Sequence, residues 1–555
     1  MNRILSAFLL AGMSLPVFSQ TQVFKFWVEL SDKNNTRYSV DHPEAFLSER
    51  AIERRKKQGI AITERDFPVN ESYLSEIEAK GVKLVHTSKW FNAVTVRCTD
   101  SSVMAEIRKL SFVKGTRLLY DKVESETKPK GNEAMMEYLM SMSSPKKPEN
   151  NSDYGFGLGQ IAMLEGDDLH QRGHKGKGIV IAVLDAGFYK MHDMEVFDHL
   201  RNEGKLLGTW DVVMQDTLVY EDDMHGMNVL SCMASYMPGK MIGTAPDASY
   251  WLIRTEDNFS EYPIEESNWI RGAEMADSIG ADVINSSLGY TQFDNTKLSH
   301  TYSHLNGKSL ASQAATYCAH VGIIVCNAAG NEGNGKWHYI GVPADADSIL
   351  TVGGVDEFKD HSTFSSFGPT YDGRIKPTVC AQATATYVAS SKGKFYASQG
   401  TSFASPVLCG MVASLWSAHP DKTNIQVMNA IIQSSDRYSH PDNTFGYGIP
   451  DFMMAHRILG GDPDFDYSKD QWLQEIPTTY YDQIPLHFYS SKAQTLKIVV
   501  KDHKGRKVRN MEFALEQGQF FLHSLKDLPK SKKGISLEIQ VGEEVKTYSL
   551  NQIKD

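Results

Sequence analysis

Five apolar runs mark the middle of the chain: Gly178–Leu184, Ser249–Ile253, Val283–Ser286, Ile323–Asn327 and Ile349–Val352. They are rich in Ile and Val and hardly alternate, the pattern of strands covered on both faces. Between them, stretches such as Asn228–Tyr236 and Ile270–Ile279 repeat apolar residues at helical spacing and suit crossover connections. This alternation over residues 156–460 predicts an α/β fold with a doubly wound parallel sheet.

The flanks read differently. Over residues 20–120, strand patterns at Val23–Val28, Val82–Thr87, Trp90–Arg97 and Val113–Leu119 mix with helical ones at Pro43–Lys57, Ser72–Lys80 and Ser102–Leu110, a small α+β unit. Residues 121–155 have poor apolar periodicity. Their run Ser143-Ser144-Pro145-Lys146-Lys147-Pro148 reads as an exposed linker open to proteolysis. In residues 466–555, Leu496–Val500 and Ser536–Val541 read as strands and Gly505 and Gly534 as turns, so a small β-sandwich is expected.

Residues 1–19 carry Arg3 and then a short apolar core ending at Val17-Phe18-Ser19, the layout of an export leader. A membrane span needs about 18 or more apolar residues, so no transmembrane segment is expected. Among 555 residues the net charge is −11, which argues against a nucleic-acid partner. The six cysteines are widely spaced, and buried free thiols are the preferred reading over disulfides.

Four segments carry candidate chemistry. Asp185 ends an apolar strand and is followed by Ala186-Gly187. Ligands in open α/β sheets bind beyond such carboxyl ends, where an acid can orient an imidazole. Taken alone, a helix-capping Asp explains it equally well. His225, in Met224-His225-Gly226, can act as a general base, although a lone His-Gly is more often surface. Ser402, in Gly400-Thr401-Ser402-Phe403-Ala404-Ser405-Pro406, opens a helix with an apolar face, and a helix N-terminus favours developing negative charge. Pro406 is expected in the first turns, where a missing amide is tolerated. Asn331 follows Ala328-Ala329-Gly330 and could donate its side-chain amide to an oxyanion. An ordinary turn Asn explains that position in isolation.

Together these segments, in the order Asp…His…Ser, resemble the subtilisin-like (subtilase) serine proteases. Gly243-Thr244-Ala245-Pro246, Ser286-Ser287-Leu288-Gly289 and Ser362–Pro369 extend the likeness across residues 156–460. The resemblance implies a triad of Asp185, His225 and Ser402, with Asn331 as oxyanion donor. It implies that Ser287-Leu288-Gly289 and Ala328-Ala329-Gly330 line the P1 pocket and pair with substrate backbone by strand addition. Ala186, Phe403 and Tyr290 depart from the usual pattern, and Tyr290 is expected to narrow the cleft. The chemistry requires no cofactor, and structural calcium is left open because no calcium loop matches. The first block resembles the family's inhibitory propeptide, and Lys501–Val508 resembles the C-terminal sorting domains of secreted Bacteroidetes proteins.

The expected function is a secreted serine endopeptidase made as a self-processing zymogen. Its partners would be protein or peptide substrates and its own propeptide as inhibitor. The small residues around the pocket suggest a broad or apolar P1 preference. The alternatives are a non-catalytic adhesion protein on a protease scaffold, or a processing protease with one substrate.

Overall fold

The computed structural model describes residues 20–125, 152–221, 223–480, 483–526, 528 and 534–552. The apolar leader, the run Ser143–Pro148 and Asp222 lie outside them. The chain divides into two compact units, Met1–Thr36 with Val69–Asn132 and Arg37–Pro68 with Glu133–Asp555.

The smaller unit is built on a four-stranded antiparallel sheet. Its strands are β1 (Gln20–Leu30), β2 (Lys83–Ser88), β3 (Ala93–Cys98) and β4 (Val113–Ser125), in the order β2-β3-β1-β4. Phe26, Val28, Val94 and Val96 on one face pack with Ile77, Met104 and Ile107 from its helices. The stretch expected as one helix at Ser102–Leu110 is a 3-10 turn, Ser101–Val103, followed by a short helix, Met104–Ile107.

Residues 37–68 cluster with the large unit and not with the first block, although the sequence pattern joins them to it as 20–120. The segment holds α1 (Glu49–Gln58), capped by Ser48, whose side chain accepts from Ala51 N, and closed by Gly59. Buried charge is what attaches it. Arg54 and Arg55 both reach Asp277, and Arg55 also bonds Asp66.

The large unit contains a seven-stranded sheet in which every pair is parallel. Its strands are β5 (Val180–Asp185), β6 (Leu206–Asp211), β7 (Ser249–Arg254), β8 (Val283–Ser286), β9 (Ile324–Ala328), β10 (Leu350–Val355) and β11 (Val379–Gln382). The spatial order β11-β10-β9-β8-β5-β7-β6 reverses direction at β5, which creates a switch point beside it. The five apolar runs are five of these strands. The two outermost, β6 and β11, were not expected: β6 is only half-buried and carries Gly208, and β11 is four residues long.

The helices that matter for the site are α2 (His225–Ala234), α3 (Ile264–Ile279) and α4 (Thr401–Ala418). α4 is apolar and long enough to cross a bilayer, but 83% of it is buried, as a core helix should be. No other helix among the described residues meets that length and apolarity. All six cysteines are buried free thiols.

Residues Ile484–Ser490, Gln494–Asp502, Lys507–Leu515, Gln519–Leu525, Ile535–Val541 and Glu544–Gln552 form the main strands of a C-terminal pair of sheets. Leu486 and Phe488 from one sheet share a core with Leu496, Ile498, Leu537 and Ile539 from the other. This is the small β-sandwich.

Candidate active site

Asp185 is the last residue of β5 and is fully buried. Its Oδ1 accepts from its own loop, at Ala186 N (2.8 Å), and meets His225 Nδ1 at 2.8 Å. Its Oδ2 is buried without a hydrogen-bond partner. His225 is the first residue of α2, and its backbone N–H donates to Asp223 Oδ1 at 2.7 Å. The helix can approach this closely because position 226 is glycine. A Cβ there would lie 2.4 Å from Gly187 O and 2.9 Å from Asp185 Cβ.

Burial would depress the imidazole pKa. The charge and hydrogen bond of Asp185, with the charge of Asp223, outweigh that and raise it to about 9. The side chain remains 33% exposed. Asp185 therefore holds one ring nitrogen and leaves the other for a reacting group.

Ser402 is the second residue of α4, so its N–H is one of the first-turn amides that a helix leaves without an internal partner. Gly400, with φ 145°, makes the sharp entry. Ser402 Oγ donates to Ser287 O at 3.4 Å. No hydrogen bond joins Ser402 to His225 among the described residues. The His225 ring packs instead near Phe403, with centroids 5.9 Å apart. In free enzymes such catalytic contacts are commonly long and tighten with substrate.

Pro406 falls in the second turn of α4. It is the sixth helical residue, where its N–H would have bonded Ser402 O. The carbonyl thus freed accepts from Ser287 Oγ at 2.8 Å. Ser287 Oγ in turn accepts from Asn285 Nδ2 (3.1 Å), and Asn285 Oδ1 accepts from Ser405 Oγ (3.0 Å). The missing rung of the helix has become its attachment to the end of β8.

Asn331 follows β9 and is oriented by Thr401. Its Oδ1 accepts from Thr401 N (2.9 Å) and Thr401 Oγ1 (3.0 Å), which leaves the Nδ2 amide free to donate. Thr401 Oγ1 also accepts from Gly330 N at 3.2 Å. One buried threonine therefore fixes the helix entry, Asn331 and the Ala328–Gly330 turn together.

A cleft of about 580 Å³ opens at this end of the sheet. Ser287, Leu288, Gly289, Ala328, Gly330, Asn331 and Ser402 line it. Ala329, Asp185 and His225 do not. Ala329 is buried and tied to Val352 O and Gly341 N, and the Asp185–His225 pair lies outside the cleft wall. Tyr290 is among the residues that line the cleft, although little of it is exposed. It is 1% exposed, and its hydroxyl donates to Glu256 Oε1 at 2.8 Å.

Sequence reasoning passed over Thr401 as a positioning group, the hydroxyl role of Ser287, and the carboxylates of the cleft. The last had a local signal: five acids fall between Glu256 and Glu266. Among the described residues, no group of three or more His, Cys, Asp or Glu is arranged to hold a metal ion.

Comparison with known proteins identifies the family. The model of the subtilase family matches residues 176–448, and that of the peptidase S8 propeptide domain of Bacteroidota matches residues 25–134. Subtilisin NAT of Bacillus subtilis subsp. natto is 30% identical over 293 residues, covering 52% of this chain and 68% of that protein. Subtilisin E of Bacillus subtilis (strain 168) matches to the same extent. Serine protease AprX of the same strain is 28% identical over 303 residues, covering 49% of this chain and 65% of its own. The chain belongs to the subtilase family of serine endopeptidases and carries that family's propeptide domain ahead of its parallel sheet.

Proposed function

We propose that Ser402, His225 and Asp185 form the catalytic triad of a secreted, self-processing endopeptidase. The observation that carries this is the 2.8 Å contact between buried Asp185 and His225 at the end of the sheet where Ser402 opens a helix. Ser402 Oγ attacks the scissile carbonyl while His225 takes its proton. Asp185 holds the imidazole tautomer and stabilises the imidazolium. Asn331 Nδ2 and Ser402 N–H donate to the tetrahedral oxyanion. His225 returns the proton to the leaving amine, and water then hydrolyses the acyl-enzyme. None of these steps draws on a cofactor.

Ser287–Gly289, Ala328 and Gly330 would face the substrate backbone, and their small side chains leave room for a broad or apolar P1 residue. The N-terminal domain would inhibit the enzyme until the chain is cut within 121–155. Export through the leader, with the C-terminal sandwich serving sorting, completes the reading.

A fluorophosphonate probe tests the centre. Processed wild type should label and Ser402→Ala should not; unlabelled processed wild type would overturn the assignment. Ser402→Ala should also accumulate as the longer, uncut chain on a gel, and normal maturation of that variant would remove the self-processing step.

A further inference from the structure

A two-stranded hairpin leads the chain into α4. Thr386–Ala389 pairs antiparallel with Phe395–Ser398, which ends just before Gly400 and Ser402. A hairpin of two strands is marginal by itself, and its outer edge needs partners. Here side chains take the place of a third strand. Gln160 Oε1 accepts from Tyr387 N at 2.9 Å, and its Nε2 donates to Tyr387 O at 3.3 Å. Two residues on, the same edge meets α2. Ser231 Oγ accepts from Ala389 N at 2.9 Å, and Asn228 Nδ2 donates to Ala389 O at 2.6 Å. Asn228 Oδ1 also accepts the hydroxyl of Tyr396, on the second strand, at 3.0 Å. Ser231 Oγ gives its own proton to Asn228 O at 2.6 Å. Gln160, Asn228 and Ser231 are all 3% exposed or less, so water does not stand in for these bonds.

The two attachments differ in what they join. Gln160 sits on the short helix Leu158–Ala162, which carries no member of the proposed triad. Asn228 lies three residues beyond His225 on α2, a spacing that makes the two neighbours on the helix surface. It therefore ties the helix that begins with the base to both strands of the hairpin that delivers Ser402. Asp185 holds His225, and Ser287 holds Ser402 O, but neither bond runs from one to the other. The gap between hydroxyl and imidazole is set by the scaffold, and an error of about 1 Å there costs about 10²-fold in rate.

We infer that Asn228 is a positioning residue for the Ser402–His225 pair: its amide clamps α2 to the hairpin and so sets the approach of the serine hydroxyl to the imidazole. This rests on the triad proposed above. Asn228 does not line the cleft, so its loss should appear in turnover and not in substrate binding. Ser231 backs the clamp from the next turn of the helix, by holding the other backbone group of Ala389.

The test compares kcat per active site, with sites counted by fluorophosphonate, in matured wild type, Asn228→Ala and Gln160→Ala. Asn228→Ala should lower kcat by about 10²-fold with KM little changed. The ascending limb of kcat/KM against pH should stay where it is, because the Asp185–His225 bond remains. Gln160→Ala removes bonds to the same hairpin, so it should lower the urea midpoint and leave kcat per site unchanged. Tyr396→Phe deletes only the hydroxyl on Asn228 Oδ1 and should lower kcat in the same direction by less, which keeps the test open if Asn228→Ala does not fold. Wild-type kcat per site in whichever of these two variants folds would overturn the inference. So would equal kcat losses in Asn228→Ala and Gln160→Ala, or a loss confined to KM, since either would reduce the clamp to an ordinary packing contact. Wild type that does not label would overturn the triad beneath it instead.

Discussion

Two buried aspartates in the large unit each meet a nitrogen base, and they are built to opposite ends. Asp277 is held by two guanidiniums, Arg54 at 2.5 Å and Arg55 at 2.9 Å, and all three side chains are 3% exposed or less. Asp185 meets one imidazole, has an oxygen without a partner, and its base is one-third exposed. A guanidinium stays charged across the working pH range, so the Asp277 pair is a fixed joint. An imidazole can lose its proton, so the Asp185 pair is a movable one. The same carboxylate does structural or chemical work according to whether its partner can titrate and be reached.

Asp185→Asn should separate the two most sharply. It should lower kcat by about 10⁴ through loss of the imidazole's tautomer and charge support. The ascending limb of kcat/KM against pH, which in wild type should lie above the ordinary imidazole value of 6.5, should move down towards it, because Asp185 is what raises the His225 pKa. A kcat loss under tenfold would contradict this. The stability that the wild-type pair contributes is present in full below the unfolded pKa and fades as pH rises through about 9. Urea midpoints of Ser402→Ala measured across that range should therefore drift down, and adding Asp185→Asn should flatten the drift.

Asp277→Asn should do the reverse. It leaves buried Arg54 without its hydrogen-bonded countercharge and Arg55 with Asp66 alone, a loss of about 3–5 kcal/mol. This is read from urea unfolding of the uncut Ser402→Ala chain, with little dependence on pH. An unchanged midpoint would show that α1 is held by its apolar contacts instead. Ser287→Ala should give the smallest effect. It removes the donor to Ser402 O and costs about 1–3 kcal/mol, with kcat reduced more than KM is raised. A change confined to KM would mean that Ser287 contacts substrate without positioning the nucleophile.

The legible parts of this molecule are local. Strands covered on both faces betray themselves as unbroken Ile and Val runs, and β5, β7, β8, β9 and β10 can all be read that way. Edge strands β6 and β11 cannot, since an edge needs less apolar surface and β6 carries a glycine. The residues placed at the centre of the site are readable because each sits in an unusual short motif. What orients them is hidden, because those bonds join distant positions. Thr401 reaches Asn331 across 70 residues, Ser287 reaches Ser402 across 115, and Arg54 reaches Asp277 across 223. The last also explains why residues 37–68, which the sequence pattern and the propeptide match both join to the first block, pack with the large unit. An arginine pair on a short helix reads as solvated surface until its buried carboxylate is known.

Pro406 has a consequence for how such a helix can be improved. An ordinary residue at that position would restore the absent rung and straighten the local ladder, which is the usual route to a more stable helix. Here the restored amide would compete with Ser287 for the same carbonyl. Regularity of the helix and anchorage of its serine are thus rival claims on one oxygen, and the pyrrolidine ring settles them by withdrawing one claimant. A sequence selected only for helical strength would drift away from this solution, so the proline records a preference for a fixed Ser402 over a perfect scaffold.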